Sequence, residues 1–217
     1  MDENALLFLA INETHLGQYI SLELTEGLIR YQVRYGSGYE MSLQSRQKYN
    51  TGQWVKVEAS RVLIRGVETA LLKVADDEEL SAAPFNFGVP DLELEEAKLY
   101  VGGLPPDVSI SSDLMGSVPG SFLGCMKDLQ VVAFGMNPLQ GSFYGVEASC
   151  GSQTINKIVA FSGSGYIQLR AARPTGRDMN LGLSFKTELP EGILLFSAPI
   201  PAVSLNSFAV FDLIKIY

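Results

Sequence analysis

The chain has 217 residues, 47% of them apolar and 18% charged, with 21 glycines and 10 prolines; that composition supports a packed core broken by many turns and excludes intrinsic disorder. A net charge of -8 argues against nucleic acid as a partner, because neutralising phosphates needs clustered lysine and arginine. No apolar run approaches the roughly 20 residues of a spanning helix, which excludes membrane insertion. Met1-Asp2-Glu3-Asn4 lacks the basic start of a secretory signal, so a secreted protein carrying this sequence is expected to extend upstream of Met1.

The first short apolar run is Ala5 to Ile11, followed by Asn12-Glu13-Thr14, a glycosylation sequon whose loop position makes Asn12 an acceptor in a secretory pathway. His15, the single histidine, reads as a solvated turn residue. Ile20, Leu22 and Leu24 then alternate with polar positions, and Ile29, Tyr31, Val33 and Tyr35 alternate with Arg30, Gln32 and Arg34. Two half-buried strands joined through Thr25-Glu26-Gly27 follow from that pattern. Gly36-Ser37-Gly38 turns the chain into a run at Tyr39 to Leu43. Further strand-like runs lie at Trp54 to Val57, Ala70 to Val74, Lys98 to Val101, Leu129 to Val132, Tyr166 to Leu169, Leu181 to Phe185, Ile193 to Phe196 and Phe208 to Leu213. Strands at this spacing with turn residues between them predict an all-β antiparallel sandwich. The only helical reading is a single turn at Asp76 to Leu80.

Charge and repetition divide the chain. Residues 1–150 carry 10 Lys/Arg against 20 Asp/Glu, and residues 151–217 carry 6 against 4, which assigns the two stretches to different units. Glu3-Asn4-Ala5-Leu6-Leu7-Phe8 is similar to Glu191-Gly192-Ile193-Leu194-Leu195-Phe196 at an offset of 188 residues. Gln18 to Leu24 is similar to Ser207 to Leu213 at an offset of 189, so the same two strands occur near both ends.

Cys125 and Cys150 are the only cysteines. With one histidine they assemble no zinc site, leaving either a disulfide or two buried thiols. Asp91-Leu92-Glu93-Leu94-Glu95 sets carboxylates at alternate positions, hence on one face of a strand, where two could act as nucleophile and acid on a glycoside. The segment lies in an acidic stretch with Glu96, and Trp54 is the only tryptophan available as a sugar platform, so a water-facing row is the plainer reading. No G-x-S-x-G, Walker A or G-x-G-x-x-G sequence occurs, which leaves nucleophilic hydrolysis and nucleotide binding without support. Arg30 and Arg34, two positions apart on one strand face, are candidates for touching a sulfated glycan, against a plain solvated sheet face.

The segment Phe122-Leu123-Gly124-Cys125-Met126-Lys127-Asp128-Leu129 resembles the F-x-G-C segment near the end of laminin-G-like modules. Other segments resemble the same family in its order: Leu22 to Gly27, Tyr35 to Gly38, Tyr49-Asn50-Thr51-Gly52-Gln53-Trp54, and Leu99-Tyr100-Val101-Gly102-Gly103-Leu104-Pro105. Phe161 to Ile167 and Leu183 to Thr187 resemble the opening strands of a further module. Val55 stands where the family often has histidine. With ten residues between Cys150 and Phe161 and no cysteine-rich spacer, the arrangement is most similar to the tandem G modules of laminin α chains.

The resemblance implies a jelly-roll sandwich closed by a disulfide between Cys125 and Cys150, in a secreted glycoprotein of the extracellular matrix or basement membrane. It implies a non-catalytic adhesion module that binds cell-surface receptors, matrix proteins or glycans through rim loops. The alternatives are the glycoside-cleaving reading of Asp91, Glu93 and Glu95 and a small-ligand carrier of the hormone-binding-globulin type. Family calcium positions fall on Gln18 and Ser121, with Ser207 as the second counterpart of Gln18; none is a carboxylate, so no cofactor is expected and calcium binding would be weak. Residues 1–150 read as a module without its opening strands and 151–217 as the opening strands of a second. Residues 158–189 are then expected to fold back into the first sandwich, leaving Phe208 to Leu213 redundant.

Overall fold

A computed structural model describes residues 18–35, 40–76, 78–83, 98–106, 120–131, 134–135, 142–147, 150, 158–170 and 179–198. The elements are β1 (Gln18–Thr25), β2 (Leu28–Tyr35), β3 (Glu40–Gln44), β4 (Val55–Ile64), β5 (Val67–Val74), β6 (Glu78–Ala82), β7 (Lys98–Val101), β8 (Leu123–Val131), β9 (Phe134–Gly135), β10 (Ser142–Glu147), β11 (Ile158–Arg170), β12 (Met179–Lys186) and β13 (Gly192–Ala198). The described residues form no helix, and the expected helical turn at Asp76 to Leu80 is corrected: Glu78 to Ala82 pair with β5 as a strand. There Leu72 sits opposite Leu80 and Val74 opposite Glu78, and sheet pairing outweighs the weak local preference of two acids and a leucine. Ala5 to Ile11, Gly36 to Gly38 and Phe208 to Leu213 lie outside the described residues.

All strand pairs are antiparallel and run in the order β3-β2-β1-β13-β7-β11-β8-β12-β4-β5-β6, with β10 on β11 and β9 on β8. The long strand β11 makes the corner. Its first part, Ile158 to Ser162, pairs with β8, whereas Ile167 to Arg170 pair with β7; Gly163, at φ +90, falls between them and lets the strand pass from one layer to the other. The sheet thus folds over itself as two layers, and β3 approaches β5 and β6 to close the far side.

The alternation in the sequence explains which face is dry. Ile29, Tyr31, Val33 and Tyr35 of β2 are all buried and share one core with Val57 and Ala59 of β4, Leu72 and Val74 of β5, Val101 of β7 and Met126 of β8. The β1–β2 hairpin turns through Glu26 at φ +54 and Gly27 at φ +82, the double left-handed conformation that matches strand twist in a two-residue turn.

Strands from beyond residue 150 complete this core. Ile167, Leu183, Phe185, Leu194 and Leu195 belong to the same buried cluster as Ile20 and Leu22. Strand β12 lies between β4 and β8, with Leu183 opposite Val57 and Phe185 opposite Met126. Strand β13 lies between β1 and β7, with Leu195 opposite both Leu22 and Val101. Of the fold-back expected for residues 158–189, the described strands β11 and β12 are both inserted in the sheet, and β13 extends it to Ala198. The charge change near residue 150 is therefore not a break in the sheet.

The family-like segments are the points at which the two parts of the chain meet. Phe122 is fully buried and packs edge-on against Phe161 at 5.8 Å and Phe185 at 6.1 Å, geometry favoured between aromatic rings. A Cβ on Gly124 would come within 2.3 Å of the Lys186 carbonyl oxygen, so the glycine of F-x-G-C is required by the approach of β12. Gly102, at φ +81, has the Phe161 ring where a Cβ would go, at 2.1 Å, which accounts for the glycine after β7. The loop before β4 is tied in the same way: the Gly52 N–H donates to the Thr187 carbonyl at 2.8 Å and Asn50 Nδ2 to the Glu188 carbonyl at 3.2 Å.

Candidate functional site

Cys125 and Cys150 are bonded, with Cα atoms 6.0 Å apart and a sequence separation of 25. A bridge closing a loop of that length contributes about 3 kcal/mol through the unfolded chain. It fixes the chain leaving β10 against β8, beside Lys186, which pairs with Cys125.

Gln18 and Ser121 are not brought together. Gln18 begins β1 and its Nε2 donates to the Tyr35 carbonyl at 3.3 Å. Ser121 bridges to Ile193, which stands opposite Glu23 near the other end of β1; five residues of strand separate the two ends by about 17 Å. Neither side chain is a carboxylate, so the pair does not fit a calcium ion. Among the described residues no group of three or more His, Cys, Asp or Glu could hold a metal. Asn12, His15, Ser207 and the row Asp91, Glu93, Glu95 lie outside the described residues, as do residues 107–119 between β7 and β8 and 171–178 between β11 and β12.

Arg30 and Arg34 do lie on the face of β2 opposite the core, but local carboxylates occupy them. Arg30 Nε donates to Glu23 Oε1 at 2.6 Å, with the Glu23 side chain fully buried and that of Arg30 only 19% exposed. Burial raises the Glu23 carboxyl above its ordinary range, against the lowering effect of Arg30. Arg34 Nη1 stands 3.8 Å from Glu40 Oε2. Across this face Tyr19 stacks on Phe196 at 5.8 Å, and burial followed by the nearby Glu40 charge pushes the Tyr19 hydroxyl up to about 12. Arg30 and Arg34 thus belong to a paired layer and are poorly placed to meet a sulfate.

Among the described residues, a group exposed to a partner lies on the outer face of β4, β12 and β8; Trp54, Leu123, Lys127 and Lys186 fall in the family-like segments, Lys56 and Leu189 outside them. Trp54 precedes β4 and is 38% exposed. Lys127 Nζ sits 4.5 Å above its ring. Lys56, Ser184 and Lys127 form one row across the three strands, and Lys186 projects from the next row along β12. Leu123 and Leu189, 40% and 44% exposed, border the same end, where Thr187 Oγ1 donates to the Leu123 carbonyl at 2.7 Å and accepts the Leu189 N–H at 3.0 Å. Lys56 Nζ reaches Glu58 Oε1 at 2.6 Å, both side chains exposed, and that hydrogen bond raises the lysine above its ordinary value. The period-2 pattern around Lys127 and Lys186 could have located this face, but which strands neighbour one another is a long-range fact that periodicity does not hold.

An apolar cavity between the layers, lined by Val101, Met126, Leu129, Val159, Phe161 and Ile167 among others, has a volume of about 10 Å³, room for about one water. Small-molecule sites run to several hundred Å³, so this cavity holds no hormone-sized ligand.

The laminin G domain family model matches residues 1–133. The chain is 32% identical over 201 residues to laminin subunit alpha of Drosophila melanogaster, an alignment covering 90% of this chain and 5% of that protein. It is 30% identical over 192 residues to laminin subunit alpha-1 of Homo sapiens, covering 83% of this chain and 6% of that one. Neurexin-2 of Mus musculus is 25% identical over 165 residues, covering 69% of this chain and 9% of neurexin-2. The chain thus spans a small part of the relatives it matches, in an all-β sandwich in which the family-like segments at Tyr49 to Trp54, Leu99 to Pro105 and Phe122 to Leu129 serve the packing described above. It belongs to the laminin G domain family.

Proposed function

We propose that the chain is a secreted, non-catalytic adhesion module of the extracellular matrix, engaging cell-surface receptors or matrix glycans that carry acidic groups. The observation that carries this reading is the Trp54 face. An exposed tryptophan with a lysine on its ring, two exposed leucines toward the same end of the strands and lysines in the adjoining rows offer stacking, apolar burial and charge neutralisation on one face. In a chain of net charge -8 such a patch is a local feature, so recognition would be short-ranged and salt-sensitive. Similarity to laminin α subunits supports the extracellular setting, and the Cys125–Cys150 bond is of the kind that persists in oxidising compartments. Calcium has no part in this reading, because the Gln18 and Ser121 positions lack carboxylates and lie apart.

The test is cell attachment to surfaces coated with the full chain, with Trp54→Ala and the pair Lys127→Ala/Lys186→Ala as variants. Each is expected to raise the concentration needed for half-maximal attachment about tenfold, a loss of roughly 1.4 kcal/mol. Soluble heparin competing with the wild-type chain would assign the contact to glycans, and attachment indifferent to heparin would assign it to a protein receptor. Attachment unchanged in both variants would remove the Trp54 face from the account.

A further inference from the structure

The place that β13 occupies between β1 and β7 has two claimants in the same chain. Residues 191–198 read Glu-Gly-Ile-Leu-Leu-Phe-Ser-Ala and residues 3–10 read Glu-Asn-Ala-Leu-Leu-Phe-Leu-Ala. Four of the identical positions make specific contacts in the structure. The Glu191 carboxylate accepts the Glu26 N–H at 2.7 Å, and Glu3 repeats it. Leu194 and Leu195 are fully buried, and Leu6 and Leu7 repeat them. Phe196 stands opposite Ser21 of β1 and Tyr100 of β7 and stacks on Tyr19; Phe8 repeats it.

We propose that Glu3 to Ala10 is a second occupant of this slot, able to replace β13 in the same antiparallel register on β1. The two segments have opposite advantages. Gly192 fits where a Cβ would approach the Phe122 Cα to 2.9 Å, and Asn4 does not fit without a shift; Ile193 also fills more space than Ala5. Packing therefore favours β13. Connectivity favours Glu3 to Ala10, because Phe8 precedes Gln18 by ten residues and a short loop closes at lower entropic cost than one spanning most of the chain. When Glu3 to Ala10 fills the slot, Gly192 to Ala198 is released as an unpaired strand, and its natural acceptor is the same slot in a second copy of the chain. The slot is then a site of strand exchange between copies.

Core-facing charge separates the possibilities. Leu195→Asp disables β13 and Leu7→Asp disables its counterpart. In thermal unfolding followed by circular dichroism, the full chain with Leu195→Asp alone is expected to keep a cooperative transition at reduced temperature, and Leu7→Asp/Leu195→Asp is expected to lose it. Disulfide trapping gives an independent readout: Ser21→Cys with Phe196→Cys tests the observed pairing, and Ser21→Cys with Phe8→Cys tests the alternative, each mapped by peptide mass spectrometry. Loss of the transition in Leu195→Asp alone would overturn the proposal. So would a double variant that melts like Leu195→Asp, or trapping at position 196 with none at position 8.

Discussion

Arg61 Nη1 stands 3.4 Å from Glu68 Oε1, with the two side chains only 6% and 10% exposed, so an ion pair on β4 and β5 is held inside the sandwich. The hydroxyls of Tyr31 and Tyr35 are buried beside this pair, and among the described residues neither the Tyr31 hydroxyl nor Arg61 Nε has a hydrogen-bond partner. Burial raises both tyrosines above their ordinary range. A buried pair stabilises little relative to apolar residues, but removing one partner strands the other charge. Arg61→Met is therefore expected to cost about 3 kcal/mol in denaturant unfolding, and Arg61→Met/Glu68→Met to recover most of it. A double variant as unstable as the single one would show that the arginine acts through packing alone.

Glu78 anchors the loop between β3 and β4 to β6. Its carboxylate accepts the Arg46 N–H at 2.7 Å, the Gln47 N–H at 2.9 Å and the Tyr49 hydroxyl at 3.0 Å. Burial works to raise this carboxyl, but the three hydrogen bonds outweigh it and leave the group below its usual 4.5. A depressed folded-state value means that its contribution is complete above pH 4.5 and is lost as pH falls through the folded value. Buried Glu23, raised mainly by desolvation, has the opposite sign: its contribution is present at low pH and lost as pH rises through its folded value. Glu78→Gln is expected to destabilise by about 2 kcal/mol at pH 7 and to flatten the acid limb of the stability profile. A variant with wild-type acid sensitivity would remove Glu78 from that limb.

Much of this architecture was legible beforehand because it is local. The alternation from Leu28 to Tyr35 names a strand and its dry face, and the structure gives that strand and face. The acidic run at Glu78 was misread because its strand character comes from pairing with β5, not from its own pattern. The spacing of Arg30 and Arg34 placed them on one face but did not reveal that Glu23 and Glu40 on neighbouring strands engage them. The Trp54 face was hidden for the same reason: its lysines come from positions 56, 127 and 186, and only strand order brings them together. The fold-back expected for residues 158–189 was readable because Phe161 to Ile167 and Leu183 to Thr187 resemble the opening strands that residues 1–150 lack.

Calcium at 1 mM is expected to leave the melting temperature unchanged. A site weaker than about 1 mM stabilises by no more than roughly 0.4 kcal/mol at that concentration, and Gln18 and Ser121 offer no carboxylate and lie at opposite ends of β1. A rise of several degrees that chelation reverses would place a calcium site elsewhere in the chain.

One sandwich is built from strands on both sides of residue 150. Native-state hydrogen exchange resolved to the amides of β12 tests it most directly, because that strand lies between β4 and β8 and can be protected only if it is inserted there. Leu181, Leu183 and Phe185 are expected to exchange as slowly as Ile20 and Leu22 of β1, at the rate of global unfolding. Exchange of the β12 amides orders of magnitude faster than that of β1 and β2 would contradict the account and make residues 158–198 a separate, weakly held segment.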